Sequence, residues 1–471
     1  MHEPRGAGRA IDRRVQGQLH QRQANEAMKQ FPTLAPDPEL RSRAGWAGDP
    51  GGWIASAAVI TLILAFGGVQ ARWHLPVYGA LYATTLIYLM LGASGRIQLT
   101  WNSIFLPGIA LICLPLMQLA LHTTVNGAAS ATGFMHLLAA ACAFSLAWWA
   151  GKNPHFREQW LRFAAIAGGL LALEAIMQFY LFRSRIFGIF PISSNQPIGS
   201  FVNHDDFAAS MELLFPTALI LMARAGQTLT QKISWGCLAA IIFASVILSA
   251  SRGGAIGVAV ELLLFWLWRR KTKPFAPAPG KQKTGPKAGI GRATEKSWPI
   301  LLVLILLFAG VTGYQRLIRR MPGTNPELHS RLSLDAVSWQ MGRQKPLLGW
   351  GVGSWAFVYP QFARWDDGLI LLYAHCDYAQ WWAETGMAGL VLAIGFATIF
   401  LWKLKLQPRD ELTWAGLFAL AAVCLHASFD FIWHIPALWL LTAIWMGLTM
   451  RNTGHRMPYS EKQNSGNNMI G

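Results

Sequence analysis

The chain has 471 residues, 53% of them hydrophobic, 22 of them tryptophan and only 13% charged. Soluble globular domains carry roughly 25% charged residues, so the composition excludes that class and indicates a polytopic membrane protein. The net charge of +17 would suit nucleic acid, but the basic residues cluster in tails and in loops between apolar runs, where orientation in a bilayer accounts for them. No nucleic-acid partner is expected. The five cysteines, Cys113, Cys142, Cys237, Cys376 and Cys424, are scattered without a CxxC spacing, so neither a disulfide framework nor a zinc site is indicated.

Residues 1–50 are rich in Arg, Gln, Gly and Pro and lack an apolar run, which predicts a disordered basic cytoplasmic tail with no cleavable signal peptide. Apolar runs follow at about 53–69, 75–92, 103–121, 132–150, 161–182, 206–223, 233–249 and 254–268, close to the roughly 20 residues that cross a bilayer. They make residues 51–268 a block of eight spans. A Lys/Pro/Gly-rich linker, 269–297, comes next. Residues 298–450 hold four further runs, about 298–314, 375–402, 413–428 and 435–450, and a polar insert, 315–374, between the ninth and tenth spans. Residues 451–471 form a second tail. The expected fold is therefore all-α, with about twelve transmembrane helices.

Basic segments mark the cytoplasmic side. The first tail and the linker both belong there, and the even number of spans between them agrees. The same parity places the loop 183–205, the turn Ser249–Gly254, the insert and the hairpin Ser428–His434 together on the opposite, external face. Every unusual polar motif is thus expected on one side of the membrane.

An insert of about 60 residues exceeds the roughly 2–8 that a connection needs. Within it Asn325-Pro326-Glu327 reads as an N-cap followed by Pro at the first helical position. Leu328, Leu332, Ala336 and Trp339 then recur at helical spacing, with Arg331 and Asp335 on the polar flank, as in a helix lying on the membrane face and ending near Gly342. Gly349-Trp350-Gly351-Val352-Gly353-Ser354 is either a tight turn that re-aims the chain or a nest of amides for a phosphate. Trp350, Trp355, Tyr359 and Trp365 suit stacking on sugar rings or a place at the headgroup boundary.

Arg252 stands between two spans in an uncharged stretch, where it serves either as a headgroup contact or as a bidentate ligand for a pyrophosphate. His375 opens a span whose first turns also contain Asp377 and Glu384. It is either a structural residue or a general base. Glu174, Glu212 and Glu261 lie inside apolar runs, as carboxylates on ion pathways do. His204-Asp205-Asp206 reads as the start of the next span or as a divalent-cation ligand.

Several motifs together resemble the O-antigen ligase and polysaccharide polymerase family. They are Ser251-Arg252-Gly253-Gly254 opening a span, an external insert with Arg331, Trp339, Pro346-Leu347-Leu348-Gly349-Trp350-Gly351 and Ser354, then His375-x-Asp377-Tyr378 and Glu384-Thr385-Gly386. Gly199-Ser200-Phe201-Val202-Asn203-x-Asp205 is similar to the family's G-x-F-x-N-x-N motif, with Asp205 in place of the second Asn. His426, Asp430-Phe431 and Pro436 resemble its closing hairpin.

The resemblance implies an inverting glycosyltransferase in the bacterial inner membrane, working at the periplasmic face without metal or other cofactor. Its donor would be an undecaprenyl-diphosphate-linked glycan. Its acceptor would be a hydroxyl of lipid A core, of a growing glycan or of a protein. His375 would deprotonate the acceptor and Arg252 would bind the diphosphate, with Arg331, Asn203, Trp350 and Ser354 as further substrate contacts. Gln196 stands where many members carry Arg, and Arg183 or Arg185 on the same loop would substitute. From a different class, the rival expectation is a lipid-linked sugar or ion transporter.

Overall fold

The computed structural model describes residues 49–182, 185–191, 198–271, 326–363 and 371–450. The N-terminal tail, most of the linker 269–297, the expected span 298–314, the start of the insert, including Asn325, and the C-terminal tail lie outside these residues. So do Arg183, Gln196 and Trp365. The other expected spans are all helices: α1 (Pro50–Leu64), α2 (Ala71–Ala93), α3 (Phe105–Ala120), α4 (Gly127–Ala150), α5 (Pro154–Leu181), α6 (His204–Ala223), α7 (Leu229–Ser249) and α8 (Arg252–Lys271) precede the linker. After it come α9 (Pro326–Gln344) and the short α10 (Trp355–Val358) in the insert, then α11 (Asp377–Leu406), α12 (Glu411–His426) and α13 (Pro436–Thr449). A two-residue hairpin, β1 (Arg185–Ile186) with antiparallel β2 (Phe190–Pro191), lies between α5 and α6. Six helices (α2, α4, α5, α6, α7 and α11) are long and apolar enough to cross a membrane by length and composition. The protein is an all-α membrane protein.

Helix α6 is the axis of the bundle. Every residue from Asp205 to Met222 is buried, as expected of a helix that is apolar on all sides. It packs against α5, α7, α8, α12 and α13. Asn203 caps it, accepting from the Asp205 amide at 3.0 Å, and Asp205 and Asp206 occupy its first turn, where the helix dipole favours negative charge.

At the other end of α6, Arg224 forks onto Glu158, with its Nη1 2.6 Å from Oε1, and pairs with Glu411. Nearby, the buried Arg157 donates to both Asp410 oxygens, at 2.8 and 2.6 Å, and to the Leu448 carbonyl at 2.6 Å. Asp410 also caps α12 by accepting from the Thr413 amide at 2.9 Å.

The insert is fastened to α11 by an exchange of backbone hydrogen bonds. Gly386 breaks α11 with φ 59° and ψ −154°. In an unbroken helix the amides of Met387 and Ala388 would bond the carbonyls of Ala383 and Glu384. Here those amides donate instead to the carbonyls of Pro346 (2.7 Å) and Leu347 (3.0 Å), while the two carbonyls accept from the amides of Trp350 (3.1 Å) and Gly351 (3.0 Å). A lone glutamine in the apolar α3 reinforces the seam: Gln118 Nε2 donates to the carbonyls of Leu348 (2.6 Å) and Glu384 (2.8 Å).

Helix α9 starts at the expected proline but packs with a face other than the apolar stripe read from the sequence. Leu334, Val337 and Met341 are buried with Trp355 and Val358, whereas Leu332, Ala336 and Trp339 are exposed, and the side chain of Leu328 lies outside the described set. The stripe is thus left outside this core, with Trp339 against Trp382 at 5.5 Å between ring centroids, and the core face was the one with Ser338, whose hydroxyl accepts from the Trp355 indole at 2.8 Å.

Two predictions follow from these contacts. A Cβ at Gly386 would stand 2.6 Å from the Pro346 oxygen, and one at Gly349 would strike the backbone of Glu384, both at positive φ, whereas a Cβ at Gly395 meets nothing within 4 Å. Gly386→Ala and Gly349→Ala are therefore expected to cost about 1–3 kcal/mol of strain and to lower the thermal midpoint of the detergent-solubilised protein. Gly395→Ala should leave that midpoint unchanged or raise it.

For Asp410, burial alone would push the carboxyl up, but the Arg157 fork and the Thr413 donors outweigh it and bring the pKa down from 3.8 to about 2. A depressed folded-state value stabilises fully above the ordinary range and is lost as pH falls through the folded value. Asp410→Asn should thus lower the midpoint at pH 6, and its deficit against wild type should shrink as pH falls from 3.8 towards about 2.

Candidate active site

Four helix termini converge at one end of the bundle. The first turn of α6 brings Asp205 and Asp206, α8 opens with Arg252 and Gly253, α11 opens just after His375, and Asp430 follows the end of α12. Sequence reasoning expected these motifs to share a face, and they share one end of the fold. The opposite end carries the Arg157 and Arg224 clamps.

His375 faces Asp430, with Nδ1 to Oδ1 at 3.3 Å; the histidine side chain is 24% exposed and the aspartate 1%. The aspartate is itself held, since the same oxygen accepts from the Phe431 amide at 2.9 Å, and the Phe431 ring packs 5.2 Å from the imidazole. A carboxylate on Nδ1 fixes the proton of the neutral ring there and leaves the Nε2 lone pair free. A fixed, partly open histidine of this kind can accept a proton from a bound hydroxyl.

Arg331 reaches into the same place from α9. Its Nη1 donates to the Phe429 carbonyl at 2.9 Å and lies 3.5 Å from Asp430 Oδ2, and its Nη2 donates to Asp205 Oδ2 at 3.1 Å. One ligand atom each from Asp205, His426 and Asp430 lie within 4.8 Å of one another, a spacing a cation could use. The guanidinium of Arg331 already rests on both of these carboxylates and serves as their positive partner.

Behind this cluster His426 Nδ1 bonds Glu212 Oε1 at 2.8 Å. Asp377 plays a bracing part: it accepts from the Trp433 amide at 2.9 Å and bonds His434 Nδ1 at 2.7 Å. Burial pushes the His434 imidazole down, and the Asp377 carboxylate more than offsets this and raises it.

The remaining candidates fall into separate places. Arg252, half-buried, stands at the first position of α8, one residue before Gly253, whose α-carbon lies against the His426 ring. Asn203 serves as the α6 cap, with its amide nitrogen 3.3 Å from Asp206 Oδ1. Arg185 is exposed on β1. Ser354 is fully buried and bonds Thr124 Oγ1 at 3.2 Å. Trp350 donates its indole N–H to the Met341 carbonyl at 2.8 Å and lies under the Lys345 ammonium.

The reading of the glycine turn as a phosphate nest is corrected. Each amide from Gly349 to Trp355 already has a protein acceptor: the carbonyls of Lys345, Ala383, Glu384 and Gly351 take four, Gln118 Oε1 takes Val352, and the Glu384 carboxylate takes Gly353 and Trp355 at 2.8 and 3.1 Å. The turn re-aims the chain and binds it to α11. Trp355 and Tyr359 are likewise core and not sugar platforms, being buried and stacked on each other at 4.5 Å.

Sequence reasoning missed Gln118, the brace between Asp377 and His434, and the part Glu384 plays in holding the turn. Only Gln118 left a signal, as the one polar side chain in α3.

Residues 237–394 match the family model for O-antigen ligase. The match takes in Arg252, Arg331, the glycine turn, His375 and Glu384, and ends before His426 and Asp430. No curated protein matches the chain. The likeness to the O-antigen ligase family covers the segment that carries the insert and the His375 motif.

Proposed function

We propose that the protein is a bacterial inner-membrane glycosyltransferase that moves an undecaprenyl-diphosphate-linked glycan onto an acceptor hydroxyl at the periplasmic face, as a ligase or a polymerase. The observation that carries this reading is the His375–Asp430 pair, at 3.3 Å, set at a partly open helix end with Arg331 3.5 Å from the same aspartate. The acceptor oxygen attacks the anomeric carbon while His375 Nε2 takes its proton. The bond from that carbon to the diphosphate oxygen breaks on the opposite face, the configuration inverts, and lipid diphosphate leaves with the electron pair. Asp430 orients the imidazole and stabilises it once charged. Arg252 holds the leaving diphosphate, for which a guanidinium fork is suited, and Arg331 joins it as the second cation. A base of this kind does the work that a bound metal would otherwise do for the nucleophile.

A second reading, transport of a lipid-linked sugar or an ion, draws on Glu174 and Glu261, whose buried carboxylate oxygens have no hydrogen-bond partner among the described residues. Transport releases no lipid diphosphate, which separates the two.

Purified protein in lipid nanodiscs, given an undecaprenyl-diphosphate glycan extracted from membranes together with an acceptor glycan, is expected to release free lipid diphosphate. His375→Ala should cut that release about 100-fold or more, the usual scale for a general base, and EDTA should leave it intact. Normal turnover in His375→Ala, or loss in EDTA with recovery in Mg²⁺, would reject the mechanism.

The topology has its own test. In a cysteine-free background, single cysteines at Leu347, which is 73% exposed, and at Thr284 in the basic linker should react with an impermeant thiol reagent from opposite sides of the membrane. Labelling of both from one side would remove the periplasmic placement.

A further inference from the structure

Glu212 lies in the middle of α6, the helix buried along its whole length, and its bond to His426 Nδ1 is sealed from solvent, the two side chains being 0% and 1% exposed. Helix α8 is shaped around the pair. Gly253 has no room for a Cβ beside the His426 imidazole, and one turn further on a Cβ at Gly257 would meet the Glu212 carboxyl carbon at 2.5 Å. Two glycines four apart lie on one helix face, so α8 offers bare backbone to both members of the pair.

Stability does not account for this arrangement. Burying a charged pair costs several kcal/mol per ion, and apolar side chains of similar volume often pack as well or better. The position of the pair does account for it. The groups gathered around it are Asp205 and Asp206 from α6, Glu261 from α8 and Asp430 from the turn after α12, with Arg331 from α9 resting on Asp205 and Asp430. Among these, Asp205, His426 and Asp430 have side-chain atoms within 4.8 Å of one another, and Asp430 is the carboxylate that faces His375.

We infer that Glu212 is a positioning residue of the transfer reaction: by fixing the His426 ring it keeps Asp430 where Asp430 orients His375. The links run from Glu212 to His426, then to Asp430, then to His375, and the first and last are hydrogen-bond contacts at 2.8 and 3.3 Å. The inference rests on the glycosyltransferase reading given above, and it assigns a part to a carboxylate that would otherwise count as an ion-pathway residue.

The test is a pair of double-mutant cycles, read as release of free lipid diphosphate by the full-length protein in nanodiscs with the membrane-extracted undecaprenyl-diphosphate glycan as donor. Glu212→Gln keeps the shape of the side chain and removes the charge that grips the imidazole. It is expected to lower kcat about 10-fold, the lower end of what an outer-shell partner of a working histidine contributes, with the donor KM within about twofold of wild type.

In a His375→Ala background the same substitution should leave the residual rate unchanged, because the group it positions is gone. The same non-additivity is expected against Asp430→Asn, which reads the intermediate link. Wild-type kcat in Glu212→Gln, or an equal fold loss with and without His375, overturns the inference. If Glu212→Gln does not reach the membrane folded, His426→Gln cuts the same link from its other side and carries the same expectation. If the wild-type protein releases no lipid diphosphate at all, the glycosyltransferase reading fails, and this inference falls with it.

Discussion

The interaction on which the structure depends is the exchange of backbone hydrogen bonds at Gly386. A helix interrupted inside a membrane protein leaves two carbonyls and two amides without partners, and in hydrocarbon each unsatisfied group costs several kcal/mol. The segment Pro346–Gly351 supplies both missing acceptors and both missing donors, and Gln118 supplies a further donor. One break thus solves two problems: the backbone of α11 stays satisfied, and a polar insert with a small core of its own acquires a fixed seat on the bundle. Gly349 and Gly386 are required because at each the opposing backbone occupies the space of a side chain.

A second constraint shapes the end that holds the site. Carboxylates from α6, α11 and the turn after α12 are buried within a largely apolar bundle, and their contacts show how they are compensated. Glu384 accepts two amides of the glycine turn, Asp377 is held by His434 and the Trp433 amide, Glu212 has His426, and Asp205 and Asp430 share Arg331. Glu384 and Asp377 bind structure together. Asp430 faces the half-open His375, so among these carboxylates it is the one that borders a partly exposed histidine.

The fold was legible because long apolar runs have few solutions in a bilayer, and the described helices appear where hydropathy placed apolar runs. The glycine turn was legible as a turn, but three glycines among flat aromatic residues suit a phosphate nest equally well. The difference lies in acceptors contributed from positions 118 and 384, far from the turn in sequence. Helix α9 misled in another way. Its stripe of Leu332, Ala336 and Trp339 has regular spacing, yet the face that packs contains Ser338, a polar residue made suitable for a core by the indole N–H of Trp355. The pairing of His375 with Asp430, 55 residues apart, leaves no local periodicity, and only a motif resemblance pointed to both.

His375 and Asp430 are joined by more than their own contact, because Asp377, two residues after His375, accepts from the Trp433 amide and bonds His434 in the hairpin after Asp430. His375 precedes the break in α11, on the stretch that the insert holds through the carbonyls of Ala383 and Glu384, while Asp430 belongs to the hairpin that closes the bundle. Arg331 crosses from insert to core. Movement of α9 would therefore reach Asp205 and Asp430 together, through one guanidinium.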